Sequence, residues 1–324
     1  MKQTDRTVCV TGAGGFIASW LVKMLLKRGY TVRGAVRTNP NDDGSKYEHL
    51  RALEGAKERL ELVRADILDY KSLVAVIRGC HGVFHVATAM SNNPEEVIEP
   101  AVKGTKNVME ACAEMAVKRV VFTSSFGVVY LDPHRNPFAI VDEDCWSNLD
   151  YCIQTQNWYC YAKTLAEKLA WELAMKLNLE LVVVIPGLVL GPKLQSTMDH
   201  GTAHIMKYLT GSAKTYANLT QVYVDVRDVA GAHILVYETP SAKGHRYVCG
   251  ECNIHRGDLV GMLAKLCPLS PLPTEYTPRQ SYIIYFNIFL FKLNIHIWKH
   301  VYNESNKINS VIMCTIMHAG VQTR

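Results

Sequence analysis

Thr7-Val8-Cys9-Val10-Thr11-Gly12-Ala13-Gly14-Gly15-Phe16-Ile17-Ala18 sets a glycine turn between a strand pattern and a helical one. A short β-favouring run ends in a glycine turn, and residues Phe16–Lys27 then follow helical spacing. Glycines at such a turn let the backbone approach a pyrophosphate, while the first turn of the helix offers free N–H groups and the positive end of its dipole. Ala18 stands where a third small residue permits close helix–strand packing, so the spacing is G-x-x-G-x-x-A. A glycine-rich turn without a ligand is the plain alternative. The strand before it and the helix after it favour a dinucleotide site made by Thr11, Gly12, Gly14, Gly15, Phe16 and Ile17.

Working outward, further β-rich runs fall at Thr31–Val36, 60–63, 82–86, Arg119–Thr123 and 181–185. Helical patterns lie at 72–77, 95–115 and 159–176. Strands alternating with helices predict an α/β fold with a doubly wound parallel sheet, a Rossmann-type NAD(P)-binding domain over residues 1–185. The unbroken apolar run at 182–185 fits a strand covered on both faces. From Pro186 onward Pro, Gly and Thr interrupt shorter elements, and residues 186–274 read as a smaller C-terminal substrate-binding lobe.

Hydrophobic residues make up 48% of the 324 and charged residues 20%, which bounds the chain to the ordinary globular class. The net charge of +5 is too small and too dispersed to imply nucleic acid, but it suits a phosphate-rich cofactor or substrate. Ten cysteines without a CxxC framework, and no secretory hydrophobic run after Met1, imply free thiols and a cytoplasmic setting. No metal-ligand pattern is present, and no membrane span is expected, because the apolar run 282–298 is broken by Asn287, Lys292, Asn294 and His296. Oligomeric state is not legible.

Where an acid would hold the ribose hydroxyls of NAD, this chain carries Arg37, with Arg33 nearby, and an arginine there accommodates the 2′-phosphate of NADP. Asp66 and Ile67 after the third strand, Ala87, Thr88 and Ala89 after the fourth, and Pro186 and Val189 after the sixth complete the expected cofactor contacts. Tyr159 and Lys163 lie four apart on one helical face, where an ammonium favours a phenolate. Thr123-Ser124-Ser125 closes an earlier strand and offers a hydroxyl to polarise a carbonyl, helix capping being the plain alternative. Cys152 and Cys160 flank Tyr159 and are expected to be two reduced, partly buried thiols rather than a redox pair.

The glycine loop, strand-end serine and Tyr-x-x-x-Lys resemble the extended short-chain dehydrogenase/reductase family, which implies catalysis by Ser125, Tyr159 and Lys163, with Ser124 the fallback. More narrowly, 8–20, Asp144-Cys145-Trp146-Ser147, Asn157-Trp158-Tyr159-Cys160-Tyr161-Ala162-Lys163 and Gly211-Ser212-Ala213-Lys214-Thr215-Tyr216-Ala217-Asn218 resemble plant cinnamoyl-CoA reductases. Gln156 and Ala162 replace the Lys and Gly of that family's usual signature. The resemblance implies NADP(H), a hydroxycinnamoyl-CoA substrate held by Ser125, Tyr159, His204, Lys207 and Arg256, and reduction to the aldehyde with release of CoA in lignin biosynthesis. Without it, His204, Lys207 and Arg256 read as surface helix and loop residues. The family often places a Lys six residues after the NADP-reading Arg, whereas Lys46 lies nine after Arg37.

The resemblance stops near Thr274. Residues 275–324 are rich in Ile, Asn, Tyr, Phe and Lys and sustain neither period, like translated non-coding sequence after a splice boundary. Such a tail leaves the substrate lobe open through disorder or misfolding, or forms a replacement cover or an aggregation-prone strand. Three functional readings follow: an active cinnamoyl-CoA reductase, a dihydroflavonol-reductase-like or other aldehyde/ketone reductase, and a non-catalytic truncated family member.

Overall fold

Val8, Val10, Val182 and Val184 point to one face of a sheet, and Cys9, Val183 and Ile185 to the other, all of them fully buried. That two-sided burial is what a sheet with helices on both faces requires. The computed structural model describes residues 7–42, 45–89, 91, 93–136, 139–282 and 304–319. In chain order the first elements are β1 (Thr7–Thr11), α1 (Phe16–Lys27), β2 (Thr31–Val36), α2 (Glu48–Arg51), α3 (Ala56–Arg59), β3 (Leu60–Arg64), α4 (Tyr70–Ile77), β4 (Gly82–His85), α5 (Pro94–Glu114) and β5 (Arg119–Thr123). Then come α6 (Leu149–Gln154), α7 (Trp158–Leu177), β6 (Glu180–Pro186), β7 (Leu188–Leu190), α8 (His200–Leu209), β8 (Thr215–Asp225) and α9 (Val226–Glu238). The last are β9 (Arg246–Cys249), β10 (Cys252–His255), α10 (Arg256–Leu266), β11 (Glu275–Tyr282) and α11 (Glu304–His318).

Seven parallel strands form the large sheet in the order β3-β2-β1-β4-β5-β6-β9. The strand order reverses between β1 and β4, so a crevice opens beyond their C-terminal ends, where ligands of such sheets bind. α1 and α9 pack together over one face, and α4, α5 and α7 over the other. The six strands expected from sequence form within a residue or so of the expected limits, and so do the helices. α9 and β9 were not foreseen: β9 is only four residues long in a stretch broken by Gly and Pro, yet it is the seventh strand of the large sheet. The stretch 186–274 is therefore shared between two layers. β7, β8, β10 and β11 form the second sheet, with β8 at its centre, while α9 and β9 return to the first.

The tail contributes to this second layer. β11 runs parallel beside β8 from the pair Glu275↔Thr215 onward. α11 inserts Ile308, Val311, Ile312 and Ile316 into the core formed by Leu190, Ile205, Leu209, Tyr223, Leu259 and Leu263. Thr315 adds a polar link, its Oγ1 accepting from the Gly191 backbone N–H at 2.9 Å. Within 275–324, these two elements lie against the second layer. The run 283–298 lies outside the described residues. Among the described residues no helix is long and apolar enough to cross a membrane.

Candidate active site

The dinucleotide loop is tied down by its own backbone, Ala13 N–H donating to the Ala35 carbonyl at 3.0 Å and Gly15 N–H to the Gly12 carbonyl at 2.9 Å. Thr11 Oγ1 accepts from the backbone N–H of Val86 (3.0 Å) and Ala87 (3.1 Å), which ties the end of β1 to the end of β4. With both acceptor positions used, the hydroxyl proton goes to His85 Nδ1 at 3.0 Å. His85 is buried, and burial with the nearby Lys163 charge pushes its pKa down to about 3, so it is neutral. Gly12 has φ +67, and a Cβ there would lie 3.1 Å from the Ala87 Cα. α1 begins at Gly15 with no side-chain cap and no acid in its first turn, so its N–H groups and dipole face the crevice. Phe16 and Ile17 open that helix, and Ala18 is buried against the sheet. These features fit a dinucleotide pyrophosphate.

At the ends of β2 and β3, Arg37, Thr38, Asn39, Asp42, Lys46 and Arg64 line a cavity of about 390 Å³. The longer spacing from Arg37 to Lys46 does not separate them. Tyr47 folds the loop back: its hydroxyl meets Thr38 Oγ1 at 2.7 Å, and its ring packs where a Gly14 Cβ would come within 2.8 Å. Arg64 was missed by sequence reasoning, although its place at the end of β3, in register with Val36, was legible once the strands were aligned. Arg33 turns away, bonding Glu61 and the Arg78 carbonyl. Asp66 is committed locally, its Oδ1 accepting from Leu68 N–H at 2.9 Å, and Asp69 is the residue that caps α4. Ile67 packs beside Gly104, and its carbonyl accepts from Asn107 at 2.9 Å. Ala87 abuts Gly12, Thr88 is exposed and Ala89 half-buried in the loop beyond β4; Pro186 ends β6, and Val189 lies half-buried in β7.

Asn157 caps α7 by accepting from Cys160 N–H at 3.2 Å, which sets Tyr159 in the first turn and Lys163 one turn on. Ser125 lies just past β5 in extended conformation, its Oγ accepting from Gly127 N–H at 3.2 Å and standing near enough to the Tyr159 hydroxyl to lower its pKa. Ser124 is occupied elsewhere, donating to the buried Glu167. Lys163 is 4% exposed; its Nζ donates to the Thr123 carbonyl at 2.8 Å and lies 4.8 Å from the Phe122 ring centre. Burial lowers its pKa to about 8, against an opposing effect of Glu167. The Tyr159 phenol moves opposite to the sequence expectation, up to about 12, because burial outweighs the effect of Ser125. A phenol held in its protonated form is the state that donates a proton. All ten cysteines are free, and Cys152 and Cys160 are buried beside Leu131.

His204 is buried in the second layer, and Lys207 and Arg256, both half-buried, lie near enough to act on it electrostatically. His204 Nε2 meets the Tyr223 hydroxyl at 3.1 Å, and burial drives its pKa down to about 2. Its Nε2 is thus already engaged. Lys207 has its pKa lowered first by burial and then by the Arg256 charge. Arg256 also acts electrostatically on Tyr130, in the loop beyond Ser125, and its Nε is buried without a hydrogen-bond partner. The second layer therefore brings a cation toward the loop beyond Ser125.

An uncapped helix at the switch point, a basic cavity at the ends of β2 and β3, and a Ser–Tyr–Lys set beside the crevice define a nicotinamide-dinucleotide-dependent oxidoreductase. A profile of the NAD dependent epimerase/dehydratase family matches residues 8–250. Cinnamoyl-CoA reductase 2 of Arabidopsis thaliana is 62% identical over 281 residues, covering 87% of this chain and 83% of that one. Cinnamoyl-CoA reductase 1 of Petunia hybrida is 61% identical, covering 84% and 80%. Vestitone reductase from alfalfa superposes with a TM-score of 0.78 at 28% identity, covering 97% and 98% of the two chains. Gre2 from Candida albicans, solved in complex with NADPH, gives 0.76 at 26% identity, covering 96% and 98%. The chain belongs to the NAD dependent epimerase/dehydratase family and, within it, to the cinnamoyl-CoA reductases.

Proposed function

We propose that this chain reduces hydroxycinnamoyl-CoA thioesters to hydroxycinnamaldehydes with NADPH, releasing CoA, as a step of phenylpropanoid and lignin biosynthesis. The observation that carries the reaction is the placement of Ser125, just past β5, beside the Tyr159 hydroxyl in the first turn of α7, with the Lys163 ammonium bound to the Thr123 carbonyl at the end of the same strand and Tyr159 held protonated. Thr11, Gly12, Gly14, Gly15, Phe16 and Ile17 hold the pyrophosphate, and Ile67, Ala87, Thr88, Ala89, Pro186 and Val189 line the rest of the cofactor crevice. Arg37, helped by Lys46 and Arg64, holds the 2′-phosphate. Lys163 holds the nicotinamide ribose. Asp66, with one carboxylate oxygen engaged by Leu68, keeps its other oxygen for the adenosine end.

NADPH, when bound, supplies the hydride. Tyr159 gives its proton to the thioester carbonyl oxygen as charge develops there, and Ser125 donates a hydrogen bond to the same oxygen. The resulting hemithioacetal collapses: the C–S bond breaks, the carbonyl re-forms as the aldehyde, and CoA leaves as a thiol. Lys207 and Arg256 face the anionic end of the substrate, the unpartnered Nε of Arg256 supplying a buried donor. His204 acts through its Tyr223 hydrogen bond or its Nδ1, since its Nε2 is engaged. The test is thiol release from feruloyl-CoA, measured alongside reduction of a free aldehyde and of a dihydroflavonol. One thiol per NADPH oxidised supports the reading; turnover of the free carbonyls without thiol release overturns it in favour of an aldehyde/ketone reductase.

A further inference from the structure

Glu167 continues the stripe begun by Tyr159 and Lys163, one further turn along α7. It is fully buried, an unusual place for a carboxylate. Its Oε2 accepts the Ser124 hydroxyl, and its Oε1 accepts from Arg246 Nε at 2.6 Å and Trp171 Nε1 at 3.3 Å. Ser124 is in turn fixed to β6 by its backbone N–H, 2.7 Å from the Val184 carbonyl. Arg246, from β9, stacks 3.8 Å from the Trp146 ring centre and donates to the Cys145 carbonyl at 2.9 Å. A single carboxylate thus joins the helix carrying Tyr159 and Lys163, the strand end carrying Ser125, and the last strand of the sheet. An ion pair serving stability alone would be replaceable by apolar residues of similar volume. This one is in contact with the residue before Ser125 and one helical turn from Lys163.

We propose that Glu167 is a positioning residue of the active site, fixing the Ser125 strand end against the Tyr159–Lys163 face and setting a buried carboxylate one helical turn from the Lys163 ammonium. The proposal rests on the reading above in which Lys163 holds the cofactor ribose. The groups that face Lys163 are Tyr159 and Glu167 from α7, the Thr123 carbonyl and Phe122 ring from β5, and neutral His85 from β4, with Arg246 of β9 on the far side of Glu167. Of these, Glu167 is the one whose charge favours the ammonium.

The experiment is NADPH binding to the full chain by fluorescence titration between about pH 6 and 9.5, for wild type, Glu167→Gln, Glu167→Asp and Lys163→Met, with the fold of each checked by thermal melting. In wild type, affinity falls as pH rises through the Lys163 titration. Glu167→Gln is expected to move that fall about one pH unit to the acid side, while Glu167→Asp, which keeps the charge, leaves it in place. A Gln variant whose profile coincides with wild type overturns the proposal, as does an Asp variant that shifts with Gln. If the Gln variant is too unstable to titrate, the Asp variant decides: an unmoved profile with NADPH turnover reduced about tenfold supports the lock, and unreduced turnover overturns it. Lys163→Met separates the two claims. If it leaves the pH dependence of binding intact, the ribose assignment fails and takes this proposal with it. If it removes that dependence while Glu167→Gln does nothing, this proposal alone fails.

Discussion

Replacing Ile312 by Ala removes three carbons from a fully buried side chain at the centre of the contact between α11 and the second layer. At about 0.8 kcal/mol per buried methylene the transfer contribution is about 2.4 kcal/mol. The cavity left among Leu190, Ile205 and Leu263 raises this, and the total falls at about 3 kcal/mol, within the usual range for Ile→Ala in a core. At about 2 °C per kcal/mol for a chain of this size, the melting temperature should fall by about 6 °C. Met317, on the same helix but 60% exposed, is the control: Met317→Ala should leave the melt within about 1 °C. Differential scanning calorimetry of the three proteins decides the matter. Equal melting temperatures for the Ile312 and Met317 variants would mean that the tail does not pack on the second layer, because an unpacked tail cannot tell its buried side chains from its exposed ones.

Arg37→Ser should weaken NADPH binding by about 1.5–3 kcal/mol, roughly tenfold to a hundredfold, and leave NADH binding unchanged; equal losses for both cofactors would move the 2′-phosphate away from the cavity of Arg37, Lys46 and Arg64. The alkaline limb of kcat/KM should lie near pH 8, because Lys163, with its pKa lowered to about 8, is charged below that pH and loses its proton above it, while Tyr159, raised to about 12, stays protonated throughout. A limb that persists in Lys163→Met would contradict this assignment. The same depressed pKa costs stability while the buried ammonium is charged; the cost is relieved between about pH 8 and the unfolded value near 10.5, a window where thermal melting of wild type should gain relative to Lys163→Met.

The first six strands were legible because each is a β-rich run flanked by a helical pattern, and that alternation admits few topologies. β9 was not, since four residues after a glycine carry no period of their own and are defined by their pairing with β6. Tyr159, Lys163 and the glycine loop were legible from spacing; the choice of Ser125 over Ser124 came from the family resemblance, and spacing does not show that the Ser124 hydroxyl is bound to Glu167. The rise of the Tyr159 pKa was not legible, because a spacing of four shows the neighbouring charge and hides the burial that outweighs it. Lys46 and Arg64 escaped for a related reason: sequence distance from Arg37 says nothing about a loop folded back by Tyr47, or about a neighbouring strand. The packing of α11 is a matter of tertiary context, with its apolar residues gaining meaning only against α8 and β7.

Tyr159, on the reading proposed above, gives a proton to a thioester carbonyl in a chain whose α11 packs on the second layer. NADPH consumption with feruloyl-CoA by the purified full-length protein, beside a Tyr159→Phe control, tests it most directly. Turnover is expected in the wild type and lost in the control, while NADPH binding is kept. Wild-type protein that binds NADPH but does not oxidise it with feruloyl-CoA, or a control as active as wild type, would contradict it.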